Sequence, residues 1–310
     1  MRPAWSVILL TTLLGAAQGL FLVAFLLDAT RRPPDGFIVL ACLASVALAA
    51  LGLVASFFHL GRPERAWRTA SQWRTSWLSR EVIALPAFLA LAALYGATVY
   101  AGVDKPATLW VGAAAALACL ALFLCTAMVY ACLKFLQGWH TPLTLVNFVL
   151  LGLASGAMLS VPLAVIGWPQ FAGPLALAAF ALGGLAWLVR LATFVRNARL
   201  RPKSTTASAI GPRAAGAPGP TRQLAQGFMG GSFNTREFFH GQARWVLVLA
   251  RLAFLVLAFP LPGWLLGWGG GGLGVYVAAF VLQFAGLLAE RWLFFADARH
   301  PQNLYYQAAS

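Results

Sequence analysis

Charged residues are scarce in this chain: they make up 10% of its 310 residues, and only 8 residues are acidic. Soluble domains contain roughly a quarter charged residues, so a soluble globular protein is excluded. Strand-like alternation of apolar and polar residues is also absent, which argues against a membrane β-barrel. Because 61% of the residues are hydrophobic, we expect an all-α membrane protein built from apolar spans of about 18 or more residues.

Patterns that bind metals or haem are lacking as well. The four cysteines lie within apolar runs and show no CxxC spacing, so we interpret them as packing residues. The histidines are His59, His140, His240 and His300, all near span ends or in loops. No two of them fall inside spans at matching depth. We therefore expect neither a haem nor an iron–sulfur cluster in this chain.

Hydropathy predicts a polytopic bundle of eight transmembrane helices, at about 4–27, 37–58, 81–103, 108–133, 143–166, 171–195, 245–266 and 273–296. We expect one membrane domain over 1–310, with six spans over 4–195, a basic flexible linker at 196–226 and two spans over 245–296. The first run is too long for a signal-peptide core and is expected to remain as a span. Neither repeated halves nor spans broken at mid-membrane are apparent, which argues against a secondary transporter.

Positive charges are distributed unevenly between the two sides. The side with both termini carries 17 Lys and Arg residues, and the other side carries Arg31, Arg32 and Lys105. By the positive-inside rule, both termini are expected in the cytoplasm. Membrane topology thus explains the net charge of +14, and contact with membrane lipids rather than nucleic acid is expected.

The connection between the second and third spans carries the candidate site. His59 ends one span and Glu81 begins the next, so both are expected at one membrane face. Quinol oxidation releases two electrons and two protons, and an imidazole or a carboxylate can accept such protons. We predict that His59 and Glu81 bind a quinol and take up its protons. The alternatives are structural: a histidine that caps a helix end, and a carboxylate favoured at a helix start with Ser79 as N-cap.

The same connection is basic. If Pro63 starts a short helix, Arg62, Arg65 and Arg68 fall on one face of it. Such a stripe is typical of a solvated face or of a contact with anionic lipid. The other interpretation is a surface that docks an acidic partner subunit.

Four further polar residues lie at or inside the membrane, where polar groups are costly and usually pair or serve a function. Arg80 and Gln18 are additional candidates for contacts to the quinol, and for Gln18 the alternative is a hydrogen bond between helices. Arg251 and Glu290 each lie about 10 Å inside a span, counted at the rise of an α-helix. We expect these two to pair, either as a structural contact or as part of a proton route.

Three sequence blocks are more specific than any hydropathy pattern: HLGRPERAWR with the later LSRE, GGSFNTREFFHG, and ERWLFFADARHPQNLYYQ. Together they resemble the membrane anchor subunit of dimethyl sulfoxide reductase, the DmsC family. The resemblance implies a haem-free anchor in the bacterial inner membrane that oxidises menaquinol in anaerobic respiration. It implies an iron–sulfur electron-transfer subunit and a molybdopterin catalytic subunit as partners. It also matches the family's quinol-site histidine and glutamate to His59 and Glu81.

Other hypotheses stay open at this point. A quinone-interacting anchor of the polysulfide-reductase (NrfD) type has a similar number of spans, although the HPQNLYYQ block favours the first family. A purely structural tether is a third possibility. Catalytic subunits of related reductases are often exported, whereas the charge count places the His59 loop in the cytoplasm, so the side of the partners is open. The terminal electron acceptor is chosen in another chain.

Overall fold

The structure, a computed structural model, describes residues 3–58, 60–201, 203, 205 and 243–304. Its long helices are Trp5–Arg31 (α1), Asp35–Phe57 (α2), Trp77–Tyr100 (α3), Lys105–Ala131 (α4), Pro142–Gly167 (α5), Ala172–Ala198 (α6), Arg244–Leu257 (α7), Pro260–Trp268 (α8) and Leu273–Ala296 (α9). Within the described residues, eight helical segments are long and apolar enough to cross a membrane, with α7 and α8 counted as one. The predicted eight-span helical bundle is confirmed.

Because successive spans alternate in direction, the connections fall on two faces. The face formed by residues 60–76, 132–141 and 297–304 is called the basic face below. The connections at 32–34, 101–104, 168–171 and 269–272 form the opposite face. The predicted linker starts inside α6, which continues to Ala198. The GGSFNTREFFHG block lies outside the described residues.

The seventh span is broken, contrary to the expectation of uninterrupted spans. It consists of α7 and α8, which meet at Phe259, whose φ and ψ are −132° and −74°. Pro260 and Pro262 have no N–H, so the carbonyl groups of Val256 and Ala258 lose their backbone donors four residues on. The break therefore leaves backbone carbonyl groups without their helical hydrogen-bond donors near the middle of the span.

The centre of the bundle is the close crossing of α1 and α5. Gly15 and Gly19 of α1 face Gly152 and Gly156 of α5, and both pairs have GxxxG spacing. A Cβ atom on Gly19 would overlap the backbone of Gly152, and one on Gly156 would overlap the backbone of Gly19. The missing side chains thus let the two backbones touch, as small residues commonly do between membrane helices.

Asp28 joins three helices near the opposite face. Its side chain is 1% exposed and accepts a hydrogen bond from the Tyr95 hydroxyl at 2.5 Å. Lys105 donates to its other oxygen and forms an ion pair with it. These contacts connect α1, α3 and α4, and the pairing keeps a buried carboxylate from being left without a countercharge.

Aromatic packing closes the bundle at the basic face. The buried Trp139, Phe294 and Phe295 and the partly buried Tyr130 form a cluster with ring centroids 4.9 to 6.0 Å apart. The Trp139 indole N–H donates to the carbonyl of Phe294 at 3.0 Å. The end of α9 is thereby fixed against the connection between α4 and α5.

Candidate functional site

Glu81 lies inside α3, on the side of the membrane that carries the basic face. The helix begins at Trp77, so Glu81 lies about 6 Å further along its axis, in the second turn. Its Oε1 accepts a hydrogen bond from the hydroxyl of Thr126 on α4 at 2.7 Å. In the part of the chain that the structure describes, this carboxylate forms no ion pair with a lysine or an arginine.

The helix start differs from the sequence interpretation. Ser76, rather than Ser79, is the N-cap residue, and its hydroxyl accepts a hydrogen bond from the N–H of Ser79 at 3.3 Å. The helix therefore starts four residues earlier than predicted, and no acidic residue lies in its first turn. Because the effect of the helix dipole fades within the first turn, a capping role does not explain why a carboxylate stands at position 81.

His59 lies outside the described residues, so its place relative to Glu81 stays a prediction. The residues on either side of it, Phe58 and Leu60, are exposed. Phe58 directly follows α2 as its C-cap. The end of α2 thus carries two large apolar side chains at the membrane boundary.

Arg80 fastens the connection that precedes α3. Its Nε donates to the carbonyl of Trp73, and its Nη2 donates to the carbonyl of Arg74, each at 2.8 Å. The guanidinium group also lies 4.3 Å from the centre of the Trp77 ring. These contacts hold the turn before the helix, and a contact from Arg80 to a quinol stays a prediction.

The basic stripe has the predicted geometry. Pro63 begins a 3-10 helix, Pro63–Gln72, in which residues three apart lie one above the other. Arg62 caps this helix, Arg65 and Arg68 follow at that spacing, and all three are exposed. Trp67 is 71% exposed beside them. The stripe is a cationic and aromatic surface at the basic face.

Gln18 connects α1 to α4. Its side-chain Nε2 donates to the carbonyl of Cys119 at 2.9 Å, and the thiol of Cys119 donates to the carbonyl of Gln18 at 3.5 Å. This is the interhelical contact that the sequence allowed as the alternative. Its predicted contact to a quinol stays a prediction.

A small cavity of about 20 Å³ is lined in part by Thr126, the hydrogen-bond partner of Glu81. The side chains of Thr11, Thr12, Gln18, Ser155 and Arg291 also line it, together with apolar residues. The hydroxyl oxygen of Ser155 is buried and has no hydrogen-bond partner. A cavity of this size and polarity has room for about one water molecule.

The buried charges pair differently from the sequence prediction, which joined Arg251 to Glu290. Glu290 instead forms an ion pair with Arg190 of α6, whose Nη2 atom lies 2.7 Å from its Oε1 atom. The Oε2 atom of Glu290 lies 3.4 Å from the Nε atom of Arg291. Arg251 lies 3.6 Å from Asp297, just beyond the end of α9. The prediction was wrong because counting residues gives depth along a helix but not the direction of a side chain around it.

The surroundings of Arg291 and Asp297 affect the charge at the basic face. The 17 positive charges assigned above to the side with both termini include Arg291, but this residue is buried in α9, with its guanidinium group 3.7 Å from the centre of the Phe148 ring. Burial raises the pKa of the Asp297 carboxyl, and the nearby Arg251 guanidinium opposes that rise. The positive excess of the basic face is therefore one residue smaller than predicted and remains large.

Comparisons with known proteins agree with the architecture. Residues 1–173 match the family of DMSO reductase anchor subunits (DmsC). This chain belongs to the DmsC family. It is also 52% identical to the C subunit of the sulfite dehydrogenase of Allochromatium vinosum, over 332 aligned residues that cover 100% of both chains. The chain is thus a multi-pass membrane anchor subunit of an oxidoreductase complex.

Two residues of this DmsC-family chain, Thr126 and Arg190, were not predicted from the sequence. Thr126 is 45 residues from Glu81 along the chain, and nothing in its neighbourhood marks it as a partner. Arg190 had a usable signal, because an arginine inside an apolar span requires a carboxylate. Glu290 was available at a suitable depth, and α6 rather than α7 supplied its partner.

A larger cavity lies away from Glu81, between α5, α6, α8 and α9, and has a volume of about 280 Å³. Glu81 lies near the start of α3, on the side of the bundle that carries the basic face. The candidate site is therefore defined by the Glu81 carboxylate, and the larger cavity is a separate feature.

Proposed function

We propose that this chain exchanges electrons and protons with a membrane quinone next to Glu81. The observation that carries the proposal is the setting of this carboxylate. Asp28 and Glu290, the two carboxylates buried inside the described spans, are paired with cations, whereas the half-buried Glu81 has a hydroxyl as its hydrogen-bond donor. A carboxylate without a cation is better suited to take up and release a proton, because a neighbouring positive charge favours the ionised form.

The chemistry requires such a group. A quinone that takes up two electrons and two protons becomes a quinol, and the reverse reaction releases them. The Thr126 hydroxyl holds one oxygen of Glu81, which orients the carboxylate and leaves its second oxygen for a hydroxyl group of the quinol. His59, predicted at the same membrane face, is the second proton acceptor in this proposal. Glu81 and His59 are the catalytic residues proposed here.

The partners are proposed to dock at the basic face. An iron–sulfur electron-transfer subunit placed there would be close to Glu81, and it would connect the quinone to a molybdopterin catalytic subunit. The exposed stripe of Arg62, Arg65 and Arg68 fits an acidic docking surface, because complementary charge speeds association and fixes orientation. This arrangement needs no haem in the anchor, because electrons pass directly between the quinone and the partner's cluster.

Two directions of electron flow are candidates. In the direction predicted from the family resemblance, menaquinol is oxidised in anaerobic respiration and its two electrons leave through the partner subunits. The full-length similarity to a sulfite dehydrogenase subunit favours the opposite direction. In that case the catalytic subunit oxidises its substrate, and two electrons and two protons convert the quinone to a quinol. The same carboxylate serves both directions, because it accepts a proton in one and donates it in the other.

Binding of a quinol-site inhibitor to membranes that contain the whole complex tests the site. We expect Glu81→Gln and His59→Ala each to weaken binding, and Glu64→Gln to leave it unchanged. Glu64→Gln is the matched control, because it makes the same chemical change on the connection that precedes α3, and the Glu64 side chain is 66% exposed. Unchanged binding in the assembled Glu81→Gln and His59→Ala complexes would overturn the site.

The direction is tested separately with the purified complex. Its iron–sulfur clusters are first reduced by the catalytic subunit's substrate and then mixed with a soluble quinone analogue, and in a second arm oxidised clusters are mixed with the corresponding quinol. Rapid cluster oxidation in the first arm alone supports the dehydrogenase direction. Rapid cluster reduction in the second arm alone supports menaquinol oxidation.

A further inference from the structure

A lipid-facing cavity lies where the seventh span is broken. It has a volume of about 280 Å³ and is lined mainly by apolar groups from α5, α6, α8, α9 and the break itself. Phe180, Gly184 and Pro260 line it and are also accessible on the outside of the bundle. The cavity therefore opens sideways, toward the hydrocarbon of the bilayer.

Two buried polar side-chain atoms in this apolar wall have no hydrogen-bond partner. They are the Oε1 atom of Gln283 and the Nε1 atom of Trp187. Gln283 is 2% exposed, and both residues line the cavity. Leaving a buried polar group without a hydrogen-bond partner is unfavourable, because the group has lost its water without gaining a substitute. Residues of the cavity wall therefore carry one unpaired acceptor and one unpaired donor.

The backbone supplies additional polar character at the same place. Ala258 and Pro260 line the cavity, and the two prolines after the break leave the Val256 and Ala258 carbonyl groups without their helical donors. Irregular backbone at membrane depth is tolerated where it lines a cavity or is buried in protein. Broken spans with polar groups near the middle of the membrane are a recurrent form of binding site.

We infer that this cavity is a second binding site, for the ring of a quinone-class lipid. A quinol hydroxyl group both donates and accepts, so it can donate to Gln283 Oε1 and accept from the Trp187 N–H. A quinone carbonyl accepts from Trp187, and a rotated Gln283 amide then donates to the second carbonyl. The described residues that line the site include no acidic or basic side chain, so they offer no group that exchanges protons with the bound molecule.

The shape of the wall favours a flat ring over an acyl chain. Phe180, Trp187 and Phe259 all line the cavity, and aromatic side chains pack well against planar rings. Gly183 and Gly184 leave open space, because a Cβ atom added to either would meet nothing within 4 Å. An acyl chain would fill apolar volume but would leave both polar atoms unpaired.

Photolabelling with an azido-naphthoquinone, followed by peptide mapping, tests this inference in membranes that contain the full complex. We expect labelled peptides from α6 and α8, and we expect excess naphthoquinone to compete with the label. Gly183→Leu fills the cavity and should abolish this labelling. Gly173→Leu is the matched control, because it lies on the same helix, also has open space around it and does not line the cavity.

Substitutions of Trp187 and Gln283 test the two proposed hydrogen bonds to the ring. Trp187→Phe and Gln283→Leu should each raise the azido-naphthoquinone concentration that gives half-maximal labelling roughly fivefold to tenfold, the effect of losing one buried hydrogen bond. Trp264→Phe, at an exposed position of α8, should leave it unchanged. Labelling in α6 and α8 should also persist in Glu81→Gln, which distinguishes this site from the one proposed at Glu81.

Three results would overturn the inference. The first is no labelling of α6 or α8, and the second is labelling that persists in Gly183→Leu. The third is equal competition by a saturated alkyl lipid that has no ring, because the cavity would then accept any apolar chain.

Discussion

At the scale of single residues, the carboxylates inside the described spans are distinguished by their partners. Asp28 is paired with Lys105, and Glu290 is paired with Arg190 and Arg291. Glu81 receives a hydrogen bond from Thr126. The first two therefore act as structural contacts between helices, and Glu81 is the carboxylate that we propose for proton exchange. This division could not be made from the sequence, since all three lie near or inside apolar runs.

Removal of one partner of the Glu290 pair should be costly. Glu290→Gln leaves Arg190 buried without a countercharge, and we expect a loss of about 3–5 kcal/mol in unfolding free energy. Glu64→Gln, which affects an exposed pair, should change it by less than about 1 kcal/mol. Denaturation by SDS in mixed micelles measures both. Equal stability of the two variants would contradict a structural role for Glu290.

Thr126 should act by positioning Glu81. Thr126→Val keeps the shape of the side chain but removes the donor, and we expect quinone turnover to fall roughly tenfold, the effect of losing one hydrogen bond to a charged group. Thr126→Ser keeps the donor and should restore most of the rate. The measurement is steady-state turnover of the assembled complex. If valine and serine behave alike, the hydrogen bond does not serve the reaction.

At the scale of helices, the crossing of α1 and α5 depends on glycine. A side chain at Gly19 would meet backbone rather than a mobile side chain, so the two helices would have to separate. The GAAQG and GLASG segments carry this signal in the sequence at GxxxG spacing. The crossing was nevertheless not predicted, because a single GxxxG motif does not reveal which helix is its partner.

We expect Gly19→Ala to lower stability by about 1–3 kcal/mol through overpacking. Gly184→Ala, in the middle of α6 with open space around it, should be neutral or stabilising, since alanine favours a helix over glycine by up to about 1 kcal/mol. SDS denaturation compares the two variants. A Gly19→Ala variant as stable as Gly184→Ala would show that the crossing tolerates greater separation.

The helices themselves were largely predictable, whereas the break in the seventh span was not. Runs of apolar residues gave all eight spans within a few residues, because only helices of that length satisfy their backbone inside a bilayer. Proline alone did not indicate the break. Pro86 and Pro162 lie inside the continuous helices α3 and α5, whereas Pro260 starts a new one. The packing of neighbouring helices decides between these outcomes.

At the scale of the whole molecule, orientation follows from the charge asymmetry. The basic face is proposed to lie in the cytoplasm, as expected for a bacterial inner-membrane protein with this distribution of Lys and Arg. The burial of Arg291 removes one charge from this face without reversing the excess. The site at Glu81 and the docking stripe then share the cytoplasmic side.

Accessibility of single cysteines tests this orientation. The exposed native Cys132 is first replaced by alanine. Lys134→Cys, at an exposed position between α4 and α5 on the basic face, should react with a membrane-impermeant thiol reagent only after spheroplasts are lysed. Val103→Cys, on the opposite face and exposed, should react in intact spheroplasts. The reverse pattern would place the partners outside the cytoplasm.

Part of the candidate site could be proposed from the sequence. The LSRE block pointed to Glu81 as a proton acceptor, and the spacing of Arg62, Arg65 and Arg68 predicted the stripe that the structure shows. The contact with Thr126 and the Arg190–Glu290 pair depend on helix rotation and on neighbours distant in sequence, which a hydropathy pattern does not contain. The position of His59 relative to Glu81 stays a prediction for the same reason.

The most direct measurement of the central claim is quinone turnover by the assembled complex, compared among wild type, Glu81→Gln, Glu81→Asp and Glu64→Gln. If Glu81 exchanges protons with the quinone, Glu81→Gln should lose most turnover, Glu81→Asp should retain a measurable part of it, and Glu64→Gln should match wild type. Internal electron transfer within the partner subunits should be unchanged in all four. Wild-type turnover in an assembled Glu81→Gln complex would contradict the claim.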